Sequence, residues 1–560
     1  MMNRQHTGTT KPAHVMTYIV VVLGLFRVVA FILKGAISLA MAGFRFGQRR
    51  KQKQLHRENI DRIVENRASG RHGNDRPFNF DDAIENGMIM PEGDEGGLYL
   101  GAWDHDGTRY YLRWPSDESL FICGAAGSFK SWSMTSVNAI STALRGESQI
   151  VLDLKGELYA ACHEGLSQIH GVETLRISPF EKHSDFRVNL LGDLVRAAEK
   201  DELSKDDCLA ATFAFIPKEK LEGNNGFVGE EAVRMIAPYM GWLAYEPILR
   251  SKCHVGEIAD ITSVPITAFL KLMEHAAQSD ALDGWVKEEA ENSLSKYAPN
   301  KKGKFDPQIL KEYNWYMSLA KHAFSPYSKG GKLRQFTSVD STARDSDVWE
   351  PGTHKSVPHA AFLDIPPRYT KSHGEFVAAL IDYAIRSIRD AKGNVRTNFI
   401  LDEIGNIGQV LSVPEGLQLL RGYGCRFICA VQDRLSLKKY EKVGGSQLFE
   451  SQSIQLVWTV GPQHAREIEN RAGYHTEVAP SYRTSTNLQG DRGVWGGSEF
   501  KKPNLSVAEI GMVGKGEAIF MAPGLPVGIF KRPIYSDIPF VAPYIKDIRE
   551  DPNYGDFAHG

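Results

Sequence analysis

The chain has 560 residues, 66 basic against 68 acidic side chains, a formal net charge of −2 and 42% hydrophobic residues. That length leaves room for two or three domains, and the near-neutral balance excludes a globally basic nucleic-acid coat, so any nucleic-acid contact must be a local patch or a channel lining. Six scattered cysteines (Cys123, Cys162, Cys208, Cys253, Cys425 and Cys429) include no C-x-x-C pair, which argues against a disulfide framework or a zinc site and for a reducing compartment.

After a tail at 1–14, residues 15–44 are mostly apolar with Arg27 and Lys34 their only charged side chains, and Arg45, Arg49, Arg50, Lys51, Lys53 and Arg57 follow without an acid among them. The length fits one tilted membrane-spanning helix with its C-terminal side in the cytoplasm by the positive-inside rule. Arg27 and Lys34 are seven apart, hence on one helical face, where they snorkel, meet a partner helix or hold the segment in the interface. No small-residue cleavage pattern marks a signal peptide. Residues 45–80 read as a basic flank and polar linker.

The nucleotide-domain pattern starts at 81. Residues 98–112 carry turn signals between short apolar runs and predict a hairpin. A buried strand at 119–123 then enters Gly124-Ala125-Ala126-Gly127-Ser128-Phe129-Lys130-Ser131, and a helix is expected over 131–144. The octet matches G-x-x-x-x-G-K-[ST], in which backbone N–H groups surround phosphates, the Lys reaches the β/γ-phosphates and the hydroxyl holds Mg²⁺. Phe129 stands where the second Gly belongs. A strand at 149–153 ends in Asp153-Leu154-Lys155-Gly156-Glu157, and strand–helix–strand order begins a parallel α/β sheet.

From 197 to 350 strand-like runs vanish and helical periodicity takes over at 230–245, 264–278 and 309–322, which reads as an all-α insertion. The α/β pattern resumes over 351–560, with a strand at 360–364, a helix at 376–391 and the apolar strand Asn398-Phe399-Ile400-Leu401 ending in Asp402-Glu403. Such a strand is expected beside the loop strand, its Asp supporting Mg²⁺ and its Glu deprotonating the attacking water. The alternative is that the two acids merely cap the next helix. Arg421 precedes the strand at 426–432, which ends in Gln432. Residues 482–503, rich in Gly, Ser, Thr and Asn, are expected to form a mobile loop.

In order along the chain, Leu100-Gly101, the phosphate loop, Asp153–Glu157, Asn189-Leu190-Leu191, Asp402–Gly408, Arg421-Gly422-Tyr423-Gly424 and Gln432 resemble the motifs of the type IV secretion coupling proteins. These are the TraG-like conjugal transfer ATPases, relatives of FtsK-like DNA pumps. The resemblance covers roughly 85–545 and implies an α/β fold: a RecA-like P-loop domain with a parallel central sheet, an inserted all-α domain and an N-terminal transmembrane helix. It also implies a homo-hexamer at the bacterial inner membrane. There it would couple ATP and Mg²⁺ chemistry to delivery of single-stranded DNA with its bound relaxase, or of an effector protein, into the secretion channel components. Carried over by position, residues 124–131 would cradle phosphates, with Lys130 on them and Ser131 and Asp402 on the metal. Glu403 would serve the water, Arg421 would be a finger reaching a neighbouring subunit, and Gln432 would sense the γ-phosphate. The departures are Phe129 and the absence of Pro after Asn189. Phe129 motivates a second reading, a non-hydrolysing substrate receptor, and the sequence does not separate conjugation from a third, in which the cargo is protein alone.

Overall fold

The computed structural model describes residues 70–71, 73–90, 96–181, 186–216, 226–339, 347–410, 412–443, 445–458, 460–487, 490–514 and 516–548. The expected tail at 1–14, the anchor at 15–44 and the basic flank up to 69 lie outside the described residues. Among the described residues no helix is long and apolar enough to cross a membrane. The chain divides into two compact units, one of Asp75–Gly473 with the stretch from Pro503 onward, the other holding Tyr474–Lys502 and the residues up to Asn74.

The larger unit is built on eleven strands. In chain order they are β1 (Leu98–His105), β2 (Thr108–Trp114), β3 (Ser119–Gly124), β4 (Ser148–Asp153), β5 (Glu173–Ile177), β6 (His359–Asp364), β7 (Thr397–Leu401), β8 (Cys425–Val431) and β9 (Ser453–Trp458). The smaller unit's β10 (Tyr474–Asn487) and β11 (Gly490–Pro503) come next, and β12 (Glu517–Met521) and β13 (Gly528–Lys531) complete the large sheet. Its order is β2-β1-β13-β12-β9-β3-β8-β7-β4-β6-β5. The seven strands from β9 to β5 are parallel, and β12, β13, β1 and β2 extend them antiparallel. This is an α/β fold with a large, mostly parallel central sheet.

Of the parallel strands, β3, β4, β6, β7, β8 and β9 are buried along their whole length because both of their faces are covered, whereas the edge strand β5 is only partly buried. In β3, Phe121 and Cys123 face one core and Leu120 and Ile122 the other. The first core joins the sheet to the helices between β5 and β6, among them Gly226–Tyr245, Ile266–Ala276 and Pro307–Phe324. The second joins it to Ser136–Leu144, Glu157–Gln168 and the C-terminal stretch around Tyr535–Ile548. Tyr313 is buried in the first core, whereas Trp315 is half exposed. All six cysteines are buried free thiols.

Two sequence expectations change. The acid-bearing strand β7 is not beside the loop strand, because β8 lies between them, pairing Leu120 with Ile428 on one side and Phe399 with Phe427 on the other. All seven residues of β8 are buried, and a strand buried so completely needs a neighbour on each edge and a layer on each face. The expected loop at 482–503 is instead part of a two-stranded sheet, β10 with β11. Its polar residues give no apolar alternation to reveal a strand, although the Thr residues among them favour extended backbone.

Candidate nucleotide site

β3 delivers Gly124 to the C-terminal end of the parallel sheet, and Ser131–Thr135 begins the following helix as a π-turn before it settles into Ser136–Leu144. Between them the loop turns through two left-handed residues, Gly127 at φ 68° and Phe129 at φ 63°. Phe129 therefore keeps the backbone that a glycine would adopt there, and the residue is 45% exposed. A non-glycine residue held in this region carries strain of about 1–2 kcal/mol. Gly124 is needed for a different reason: a Cβ on it would lie 2.3 Å from Trp458 Nε1.

Lys130 is buried, and its Nζ donates to the carbonyls of Gly124 at 2.8 Å and Ala125 at 3.2 Å. The same ammonium lies 3.5 Å from Glu403 Oε1. Ser131 Oγ donates to Asp402 Oδ2 at 2.9 Å, and Thr135 Oγ1 approaches Asp402 Oδ1 at 3.4 Å. Burial raises the Asp402 pKa, as does the neighbouring Glu403, while the Ser131 hydrogen bond and Lys130 oppose the shift. Two ligands of an octahedral Mg²⁺ at about 2.1 Å stand about 3 Å apart, so the Ser131–Asp402 pair fits adjacent positions around such an ion. A Mg²⁺ there would keep most of its water shell and neutralise phosphate charge.

Glu403 takes φ 63°, and its side chain caps no helix; the turn after it is the short Ile404–Asn406. The capping alternative is thereby removed for Glu403. Its Oε2 instead accepts from Gln432 Nε2 at 2.5 Å and Asn406 Nδ2 at 2.9 Å. Gln432 follows directly on β8, so the strand wedged between loop and acids supplies a side chain that holds Glu403. Asp153, at the end of β4, accepts from the backbone N–H of Tyr159 at 2.8 Å and Lys155 at 3.2 Å. Burial, with Asp364 and Asp402 adding to it, pushes its carboxyl up to about 7. The structure thus brings Lys130, Ser131, Asp402, Glu403 and Gln432 together.

It does not bring Arg421 to them. Arg421 Nη1 donates to Glu118 Oε1 at 2.9 Å, and Glu118 immediately precedes β3, at the opposite end from the loop. Gly124 lies six steps along the strand from Glu118, about 20 Å at roughly 3.3 Å per residue. The Arg421 side chain is half exposed and lines a cleft of about 220 Å³ with Glu118, Gln418 and Gln452.

Residues 79–547 match the family described as type IV secretory system conjugative DNA transfer. The chain belongs to this family. Among curated proteins, none matches the sequence. Solved structures similar to this coupling-family chain include the plasmid coupling protein TrwB with the non-hydrolysable ATP analogue ADPNP, at 14% identity and TM-score 0.49, covering 80% of this chain and 93% of that one. TrwB with ADP and Mg²⁺ gives 13% identity, TM-score 0.49, and 80% and 94% coverage. VirB4 of Thermoanaerobacter pseudethanolicus gives 14% identity, TM-score 0.41, and 79% and 97% coverage.

Three residues of this conjugative-transfer chain stand at the site without having been singled out in the sequence. Lys439 Nζ donates to the carbonyls of Ile404 at 2.9 Å, Gly405 at 3.3 Å, Ile407 at 2.7 Å and Gly408 at 3.3 Å, bracing the turn after Glu403. Burial pulls its pKa down to about 8. Trp458, the last residue of β9, donates from Nε1 to Ser128 Oγ at 2.9 Å. Arg532, just past β13, reaches the Ser128 carbonyl at 2.7 Å. A Lys among surface-type residues and an Arg beside a Pro give no local sign of such contacts. Only the strand order places them here.

Proposed function

We propose that the chain is an inner-membrane coupling ATPase. It would recruit a relaxase-bound DNA, or a protein, to a type IV secretion channel and drive single-stranded DNA transfer by ATP hydrolysis. The observation that carries this reading is the convergence of Lys130, Ser131, Asp402, Glu403 and Gln432 on one end of the parallel sheet. In the proposed site, which is RecA-like in arrangement, the backbone of 124–131 and Lys130 bind the phosphates. Ser131 and Asp402 hold Mg²⁺, Glu403 takes a proton from the attacking water, and Gln432 ties that base to the state of the γ-phosphate. Arg421, at the far end of β3, serves the nucleotide of the next subunit in a homo-hexamer. The helices within 197–350 form the substrate-facing domain, and residues 15–44 form a single-pass anchor.

The geometry of Phe129 favours hydrolysis over a silent receptor, because its left-handed backbone keeps the path a glycine would take there. ATP turnover by the detergent-solubilised chain, with and without single-stranded DNA, tests the reading. Wild type is expected to turn over ATP, DNA to stimulate it, and Lys130→Ala to abolish it. Turnover that appears only in Phe129→Gly would replace the motor by the receptor reading.

A further inference from the structure

Arg532 is 5% exposed. A buried guanidinium normally sits against a carboxylate, since an uncompensated buried charge is costly. Among the described residues no acid forms an ion pair with Arg532, and its Nε has no hydrogen-bond partner. Its side-chain contacts are with the loop region instead. Nη1 donates to the Ser128 carbonyl at 2.7 Å and to Ser133 Oγ at 2.8 Å, and the guanidinium lies 4.1 Å from the centre of the Trp458 ring. Desolvation lowers its pKa to about 10, the mark of a cation lacking its counter-ion.

The contacts converge on the residues just before and after Lys130. Ser128 is held twice, by Arg532 at its carbonyl and by Trp458 at its hydroxyl. Ser133 Oγ, accepting from Arg532, donates in turn to the carbonyl of the strained Phe129 at 2.6 Å. A left-handed non-glycine residue persists only where its surroundings over-determine it, and these bonds supply that constraint. The position of Arg532 is itself fixed through the sheet. Asn138, on the helix leaving the loop, exchanges hydrogen bonds with Tyr99 of β1 at 2.9 and 3.1 Å, β1 pairs Ala102 with Lys531, and Arg532 is the next residue.

We propose that Arg532, stacked on Trp458, is a positioning residue of the nucleotide site: it fixes the loop at Ser128–Phe129 and supplies, besides Lys130, a second buried positive charge whose counter-ion is the polyphosphate of a bound nucleotide. The inference rests on the reading of 124–131 as the ATP loop. Because it acts on phosphates, its contribution is the same for ATP and GTP and larger for a triphosphate than for a nucleoside.

The test uses the full chain in detergent, titrated with MgATP, MgGTP and adenosine, following tryptophan emission and steady-state turnover together. In Arg532→Gln the Kd and KM for both triphosphates are expected to rise about tenfold or more, while kcat falls by less than about threefold. Arg532→Lys should restore most of the affinity, because both hydrogen bonds leave a single nitrogen. The emission change on binding should vanish in Trp458→Phe. Triphosphate affinity in Arg532→Gln equal to that of wild type, or a loss that Arg532→Lys fails to recover, overturns the proposal. If Arg532→Gln does not fold, Ser133→Ala replaces it, with a loss of about threefold expected and unchanged affinity overturning the proposal. Wild type that binds no triphosphate, like Lys130→Ala, defeats the ATP-site reading itself and is distinguishable from a selective failure at Arg532.

Discussion

Phe129 shows how one side chain can depart from a motif while the backbone keeps to it. Since Ala and Gly differ there only by a Cβ at φ 63°, Phe129→Gly should be more stable than Phe129→Ala by about 1 kcal/mol. Equal midpoints in urea would mean that no strain is held at this residue. His464 makes a second residue-scale prediction, this one about pH. Burial, helped by Arg434 and opposed by Glu467, lowers its pKa to about 4, so the folded chain keeps it neutral where the unfolded chain, near 6.5, takes up a proton. The stability this represents is complete above about pH 6.5 and is lost as pH falls toward 4. His464→Asn should flatten that acid slope in denaturation series at pH 7 and 5, and an unaltered slope would refute the assignment.

At the scale of elements, the strands that carry chemistry were legible because they are short apolar runs ending in the residues that matter: Leu120–Cys123 before the loop, Phe399–Leu401 before the acids, Phe427–Val431 before Gln432. What period and composition could not show was lateral order. Nothing local in 425–431 says that this strand inserts between β3 and β7; that follows from its burial on both faces. The antiparallel extension was equally hidden, because β1 and β13 lie more than 400 residues apart in sequence and meet only once the core has formed. Their junction makes a sharp prediction. Gly101 has φ 137°, and a Cβ on it would lie 2.4 Å from the Lys531 carbonyl. Gly101→Ala should therefore cost about 2 kcal/mol or more, and by displacing β13 it should also weaken triphosphate binding. Normal stability together with normal binding in this variant would show that the junction gives way without consequence.

For the whole molecule, the separation of Arg421 from its own loop predicts division of labour between copies. Arg421→Ala and Lys130→Ala should each be inactive alone. Mixed in equal amounts and allowed to exchange subunits, they should recover about a quarter of wild-type turnover, the share of head-to-tail interfaces that pair an intact loop with an intact arginine. Absence of recovery in a mixture shown to exchange would rule out action of Arg421 on a neighbouring copy's nucleotide, and full activity of Arg421→Ala alone would place it outside the reaction. The anchor at 15–44 and the partners of the helical segment remain sequence expectations carried into the proposal, since membrane and cargo contacts leave no imprint on the packing of a single chain.

The strand β3 joins these observations in one rigid element. Its first end is tied through Glu118 to Arg421, and its last end becomes Gly124 and the loop that Trp458 and Arg532 grip. In a ring of the proposed kind, each copy would hold one nucleotide at one tip of this rod and touch its neighbour's nucleotide with the other. A tilt imposed at either tip must be felt at the other, because a buried strand hydrogen-bonded on both edges transmits displacement rather than absorbing it. Successive firing around the ring would then need no separate messenger, the rod itself serving as the lever that passes the turn from one copy to the next.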